Sequence, residues 1–317
     1  MKTTTKILSL AIVASLFATI SCNDNDDNSI ATDDNYIPTA AEFQASQQSY
    51  LDSKTQTFTF NTADNSKTFT TANGAKFTVN ASCLTIDGAA VTGALEVKIV
   101  DLYDKSDMIM ANKPTVGMNG SDKELLVSGG EYNITITQNG KTAVATCPIS
   151  VEIPTSLTGG NDVNMIPWIG RISSADGSIV WNAVNKETIN NTTVPFVEVQ
   201  NNNYILQAGL GWFNCDRFYK ITASTTPTIV LPTGYNTTNS AVYVAIKGEP
   251  NSLGNLPMKL PVGLEIYAIF QTVTKSGDVK YAVKTIIITE NHKIEFTKAD
   301  MKVATKTEFV SVIKKLP

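Results

Sequence analysis

The chain has 317 residues, with 25 Lys and Arg against 29 Asp and Glu, a formal net charge of −4, and a single histidine, His292. Nucleic-acid binding needs a basic footprint, which this balance excludes, and one imidazole leaves little scope for histidine-based catalysis or metal ligation. Thr, Val, Ile, Tyr and Phe are abundant and long helix-forming stretches nearly absent; branched and aromatic residues fit a pleated, half-buried surface, so an all-β fold is the default. Typical domains run to about 100–200 residues, so two or three β-sandwich domains are expected.

Lys2 and Lys6 open the chain and are followed by an uncharged apolar run over residues 7–18. That is a signal-peptide pattern, and it falls short of the roughly 20 apolar residues that cross a bilayer. Residues 1–21 are therefore read as an export signal. The run ends in Thr19-Ile20-Ser21-Cys22, which resembles the lipobox of bacterial lipoproteins: a small Ser21 precedes the Cys, while Thr19 stands where Leu is usual. The resemblance implies cleavage before Cys22, acylation of its thiol with palmitate-type chains, and a mature protein held in a lipid bilayer through that residue. Two or more acyl chains anchor stably where one does not. The competing reading is an ordinary secreted protein with a coincidental Cys22.

Asp24, Asp26 and Asp27 follow the Cys at once. They resemble the acidic surface-export signal of Bacteroidota lipoproteins, which implies an outer-membrane protein, lipid-anchored and facing the cell exterior; a merely solvated acidic segment is the alternative. Residues 22–55 read as a flexible tether, with a weak helical tendency from Ala40 to Leu51.

From Gln56 the pattern alternates. Phe58 and Phe60 share a face, as do Phe77 and Val79, and Leu84-Thr85-Ile86 runs into an Asp87-Gly88 turn. Ala94 to Leu102 reads as a strand with Leu95, Val97, Ile99 and Asp101 on one face. After a polar link, Tyr132 to Thr137 leads into Asn139-Gly140, a tight-hairpin signal, with a return strand from Thr142 to Pro148 and another strand over Ile149 to Ile153. Regularly spaced short strands predict a β-sandwich domain over 56–155. The runs Gly74 to Asn80, Asp87-Gly88 to Val97, Asp107 to Met110, Pro114-Thr115 and Ser128-Gly129-Gly130-Glu131-Tyr132 resemble the β-sandwich modules of Bacteroidota surface proteins. ZU5-like domains are related, but the His-containing motif of their self-cleaving members has no counterpart here.

A middle β segment, 156–219, has predicted strands at Ser178 to Trp181, Phe196 to Val199 and Tyr204 to Phe213. It ends in Gly211-Trp212-Phe213-Asn214-Cys215-Asp216-Arg217-Phe218-Tyr219, a run that resembles one found in uncharacterised Bacteroidota lipoproteins. A C-terminal β domain, 220–317, has strands at Ala241 to Ile246, Leu264 to Val273 and Val279 to Ile288, the last two joined through Lys275 to Asp278. Thr305 and Glu308 have capping-box spacing, and Phe309, Ile313 and Leu316 form one helical stripe, so a short terminal helix is expected to dock on the last sheet.

Three cysteines remain after Cys22: Cys83, Cys147 and Cys215. An odd number permits at most one disulfide among them, and three buried thiols are equally compatible with their apolar surroundings.

The candidates for chemistry are few. His292 sits in a polar turn with no Gly-x-Ser-x-Gly elbow, so no catalytic residue is assigned. Asp101, Asp104 and Asp107 lack the spacing of a calcium loop, so no metal or other cofactor is assigned. Trp212, Asp216, Arg217 and Tyr219 form a candidate recognition surface, since Trp, Tyr and Arg dominate protein contact hot spots; the competing reading buries Trp212, Cys215 and Phe218 and pairs Arg217 with an acid. The expected function is that of a non-enzymatic surface lipoprotein, an accessory subunit of an outer-membrane assembly or transport complex partnered by a β-barrel protein. A glycan-binding or adhesin module is the first alternative and an extracellular hydrolase the second.

Overall fold

A docked helix stands where the sequence suggested a tether with a weak helical tendency. In the computed structural model the described residues are 35–184, 197–220 and 223–317, and all lie in one compact unit, 33–317. α1 (Ala40–Lys54) opens on a capping box: Thr39 Oγ1 accepts from Glu42 N, and Glu42 Oε2 accepts from Thr39 N. Only Phe43 and Gln47 of α1 are buried, which explains why no apolar stripe announces it. Polar contacts add to the packing of Phe43, Tyr50 and Leu51. Tyr50 Oη donates to Asp107 Oδ1 at 2.6 Å, Lys54 Nζ lies 2.9 Å from the same oxygen, and Asn112 Nδ2 donates to Gln47 Oε1. Residues 40–54 thus belong to the folded body, a correction to the tether read over 22–55.

Next come β1 (Gln56–Asn61), β2 (Ser66–Thr70), β3 (Lys76–Asn80), β4 (Ala94–Leu102), α2 (Lys105–Ala111), β5 (Val116–Asn119), β6 (Asp122–Gln138) and β7 (Ile149–Pro154). They are followed by β8 (Ile166–Ile172), β9 (Ile179–Ala183), β10 (Glu198–Gln200), β11 (Asn203–Ala208) and β12 (Gly211–Phe218). One sheet runs β1-β4-β6-β12-β8-β9-β5 and a second β10-β11-β7-β3-β2. Phe60, Val97 and Tyr132 of the first meet Phe77, Val151 and Tyr204 of the second in one core, as in a sandwich. The segment read as 156–219 forms no sheet of its own; its strands complete both of these.

β6 is 17 residues long and serves two cores. Its first half lines a closed ring, because β9 pairs with β5 and β5 turns back onto β6, so that β6, β12, β8, β9 and β5 encircle Leu126, Trp168, Ile179 and Trp181. Its second half supplies Tyr132, Ile134 and Ile136 to the sandwich core. The two halves are joined by a bulge. Asp216 pairs with Ser128 and Asn214 with Glu131, so Gly129 and Gly130 stand opposite Cys215 alone. One extra residue inverts the alternation: Leu126, Ser128 and Glu131 face the ring, and Val127 and Tyr132 face the sandwich. Gly130 is at φ +105°, and a Cβ on Gly129 would strike the Cys215 carbonyl oxygen. The polar link expected before Tyr132 is therefore α2, β5 and half of β6; its glycines look like a loop and build a bulge.

Two further glycines let indoles fill the ring. A Cβ on Gly117 would lie 2.8 Å from Leu126 Cδ2 and from the Trp168 ring, and one on Gly170 would collide with Ile179 and Trp181. Trp168 packs edge-on against Phe218 at 5.0 Å, and both buried indoles donate to backbone, Trp168 to Asp216 O and Trp181 to Pro114 O, each at 2.9 Å.

A further sheet, of five strands, is built from β13 (Ala241–Ile246), β14 (Leu253–Asn255), β15 (Glu265–Val273), β16 (Val279–Ile287) and β17 (Lys302–Ala304), with α3 (Lys306–Lys314) last. This sheet, ordered β14-β13-β15-β16-β17, is covered on both faces. Tyr243, Ile269 and Tyr281 pack under Met108, Phe309 and Ile313 of the helices, and Val244, Ala268 and Phe270 pack with Leu125 and Phe296. α3 carries the expected capping box between Thr305 and Glu308. Thr115 N donates to Leu253 O, and Leu253 N to Thr115 Oγ1, each at 2.8 Å, tying this sheet to the ring.

Cys83 and Cys147 form a disulfide and Cys215 is a buried free thiol, which resolves the two alternatives left by the thiol count. Replacing both bridged cysteines by Ala is expected to cost about 2–4 kcal/mol, read from urea unfolding. Gly170→Ala is expected to cost about 1–3 kcal/mol by overpacking. Gly209→Ala, at a position with no atom within 4 Å of the new Cβ, serves as its control and should leave the urea midpoint nearly unmoved.

Candidate functional site

β12 is two-sided. Trp212 and Phe218 pack toward the ring and Phe213 and Cys215 into the sandwich core, so the most distinctive run in the sequence is shared between two interiors. Asp216 is fully buried: it accepts from Ser128 Oγ at 2.8 Å, Gly129 N at 3.2 Å and Asn214 Nδ2 at 2.7 Å. Burial nonetheless pushes its carboxyl well above the usual range, against the pull of those donors. Arg217 leaves on the other side, with Nε donating to Asp162 Oδ2 at 2.5 Å, and Tyr219 packs half-buried between two cores. The four residues of the expected recognition surface therefore do not converge. Asp216 is interior, Arg217 is paired with an acid at a separate hollow, and Trp212 stands between two open grooves.

Trp212 packs edge-on against Trp181, with centroids 6.4 Å apart. Lys113 Nζ lies 5.5 Å from its ring centroid, a cation–π contact. That ammonium is held from below by the carbonyls of Ala111, Asn112 and Gly177, at 3.2, 3.4 and 3.1 Å. Burial lowers the Lys113 pKa to about 8, with Glu131 and Asp176 opposing the shift.

A groove opens on each side of the indole. One, of about 480 Å³, runs between Gln44, Gln48 and Leu51 of α1 and the pair Ile172 and Trp212, with Lys113 beneath. The other, of about 370 Å³, lies between Val144, Ile169, Leu210 and Trp212. Val144 is 62%, Ile169 43% and Ile172 49% exposed, so aliphatic side chains flank the indole on both sides. Exposed apolar groups gathered in one place mark contact sites more often than scattered ones do. Sequence reading passed over them because β8 has apolar residues at both parities, Ile166 and Trp168 on one and Ile169 on the other, and shows no alternation. The wall contributed by α1 had no apolar signal at all.

The other candidates are structural. Asp101 is buried, accepting from Thr71 Oγ1 at 2.7 Å and Gln56 Nε2 at 3.0 Å. Asp104 caps α2 and Asp107 holds α1, so the three acids serve three different contacts. His292 Nδ1 lies 2.9 Å from Thr289 Oγ1 within its own turn. A third hollow, about 330 Å³, is lined by Asp162, Arg217, Glu249 and Asn251. There burial raises the Glu249 carboxyl, while for Asp162 burial is outweighed by hydrogen bonds from Arg217 and Asn164, which hold it low. No group of three or more His, Cys, Asp or Glu suited to a metal occurs among the described residues. Cys22, Asp24, Asp26 and Asp27 lie outside the described residues.

No protein-family model, curated protein or solved structure matches this chain. Of the three tryptophans, Trp168 and Trp181 are fully buried. Acrylamide is therefore expected to quench a single tryptophan component, and Trp212→Phe should abolish that component.

Proposed function

We propose that the protein is a non-enzymatic, lipid-anchored protein of the outer-membrane surface that docks to a protein partner through the grooves flanking Trp212. The anchor would be an acylated Cys22, and the role that of an accessory subunit to a β-barrel assembly or transport protein. One observation carries the docking reading: a half-buried indole, fixed by Lys113 and Trp181, stands between exposed Val144, Ile169 and Ile172. A rigid aromatic anchor ringed by aliphatic groups is the composition of a protein contact hot spot. The exposed large apolar side chains among the described residues are all aliphatic, which favours a protein partner over a sugar, since sugars stack on exposed aromatic faces.

Two experiments test the parts separately. Cys22→Ser should move the protein from the membrane to the soluble fraction and remove lipid mass from the intact chain; unchanged fractionation would refute the anchor. With Cys22 intact, mild-detergent extraction should recover a stoichiometric partner. The double variant Trp212→Ala, Ile169→Asp should lose that partner, by about 30-fold or more in affinity for a hot-spot loss of about 2 kcal/mol. Undiminished recovery with the double variant would move the contact elsewhere, and the lack of any stoichiometric partner would refute the subunit role.

A further inference from the structure

The seam between β6 and β12 contains more acceptors than donors. Glu131 is fully buried, and neither of its carboxyl oxygens has a hydrogen-bond partner among the described residues. Asn214 stands directly opposite it in the strand pair, so the two side chains leave the sheet on the same face, about 5 Å apart at Cβ. Asn214 gives its Nδ2 to Asp216, and its Oδ1 also has no donor. With Glu131 drawn as a carboxylate, three buried acceptor atoms on these two paired residues would be left without a donor, an arrangement folded proteins rarely leave.

A single proton removes the conflict. We infer that Glu131 is a neutral carboxylic acid in the folded protein at neutral pH and donates its proton to Asn214 Oδ1, making this seam a buried proton-binding site. The groups packed around it are consistent with that state. β4 presents the apolar Leu102, paired with Glu131 in the sheet. β9 presents Trp181, whose Nε1 donates to Pro114 O. β12 presents Asn214 and Asp216, the latter already satisfied by three donors. The chain after α2 presents Lys113, whose ammonium is committed to three carbonyls. Burial, and then the charge of Asp216, raise the Glu131 carboxyl well above the usual range, with Lys113 and then the neighbouring Trp181 indole opposing. Two interacting carboxyls titrate as a pair, and the member without donors takes the proton.

The position gives the proton a structural role. Ionising Glu131 would set two carboxylates side by side where β6 passes from ring to sandwich, two residue pairs from Asn133 and Trp212. An unfolded Glu releases its proton near pH 4.3. Above that pH the folded chain binds one proton more than the unfolded chain, so stability falls as pH rises until Glu131 ionises in the fold. Lys113, lowered to about 8, has the opposite sign above that pH, so the measurement belongs between pH 5 and 8.

The test compares the purified protein with Glu131→Gln, which mimics the neutral acid in shape. The folding constant of the native sequence should fall relative to the variant by up to about tenfold per pH unit across that window, leaving the variant the more stable of the two at pH 8. Infrared spectra in heavy water at neutral pD should show a protonated-carboxyl carbonyl band that the variant lacks. Parallel pH profiles, a variant less stable at pH 8, or a spectrum without that band would each overturn the assignment.

Discussion

Everything in this fold turns on the bulge at Gly129 and Gly130. A regular strand has one buried face and one alternative, and the period of two makes the choice for its whole length. By placing two residues opposite Cys215, β6 changes that choice midway and contributes Leu126 to the ring and Tyr132 to the sandwich. Only residues without a Cβ tolerate it, one for a left-handed φ and one for contact with the facing backbone.

The polar interior is a consequence of the same crossing. Where two cores meet along one strand pair, side chains that would have faced water are enclosed, and Ser128, Asn214, Asp216 and Glu131 are all fully buried there. Their hydrogen bonds then define register: Asp216 grips Ser128 and the Gly129 amide across the bulge, so a slipped pairing would strand a buried carboxyl. Acids that look like candidates for chemistry in a linear reading thus hold backbone in place. β12 has an interior on each side and is partly exposed only at its ends, Gly211 and Trp212 at one and Arg217 and Phe218 at the other.

Much of the strand content was legible. The alternations at Phe58 and Phe60, Phe77 and Val79, and Leu95 to Ile99 all lie on strands that bury those residues or pack them against the core. The hairpin around Gly277 and the capping box at Thr305 formed where local chemistry placed them. The failures share one cause. α1 has no apolar stripe, β8 has apolar residues on both faces, and the first half of β6 is punctuated by glycines, so in each case the neighbour supplies the periodicity that the segment lacks. The Trp212 grooves are assembled from α1, β8 and β12, far apart in the chain, and no local pattern could announce them.

By itself, the sequence determined the β-rich class, most strand positions and the terminal helix, because those follow from side-chain period and local capping. The export and lipobox readings, which belong to the proposal, rest likewise on short linear patterns in residues 1–27. Tertiary structure decided which cysteines join, which acids are buried, that the middle segment completes two sheets, and that distant elements build a groove on each side of Trp212. Those outcomes depend on which distant strands become neighbours, and pairing across a sheet is set by the global fit of faces and bulges, which no window of consecutive residues contains.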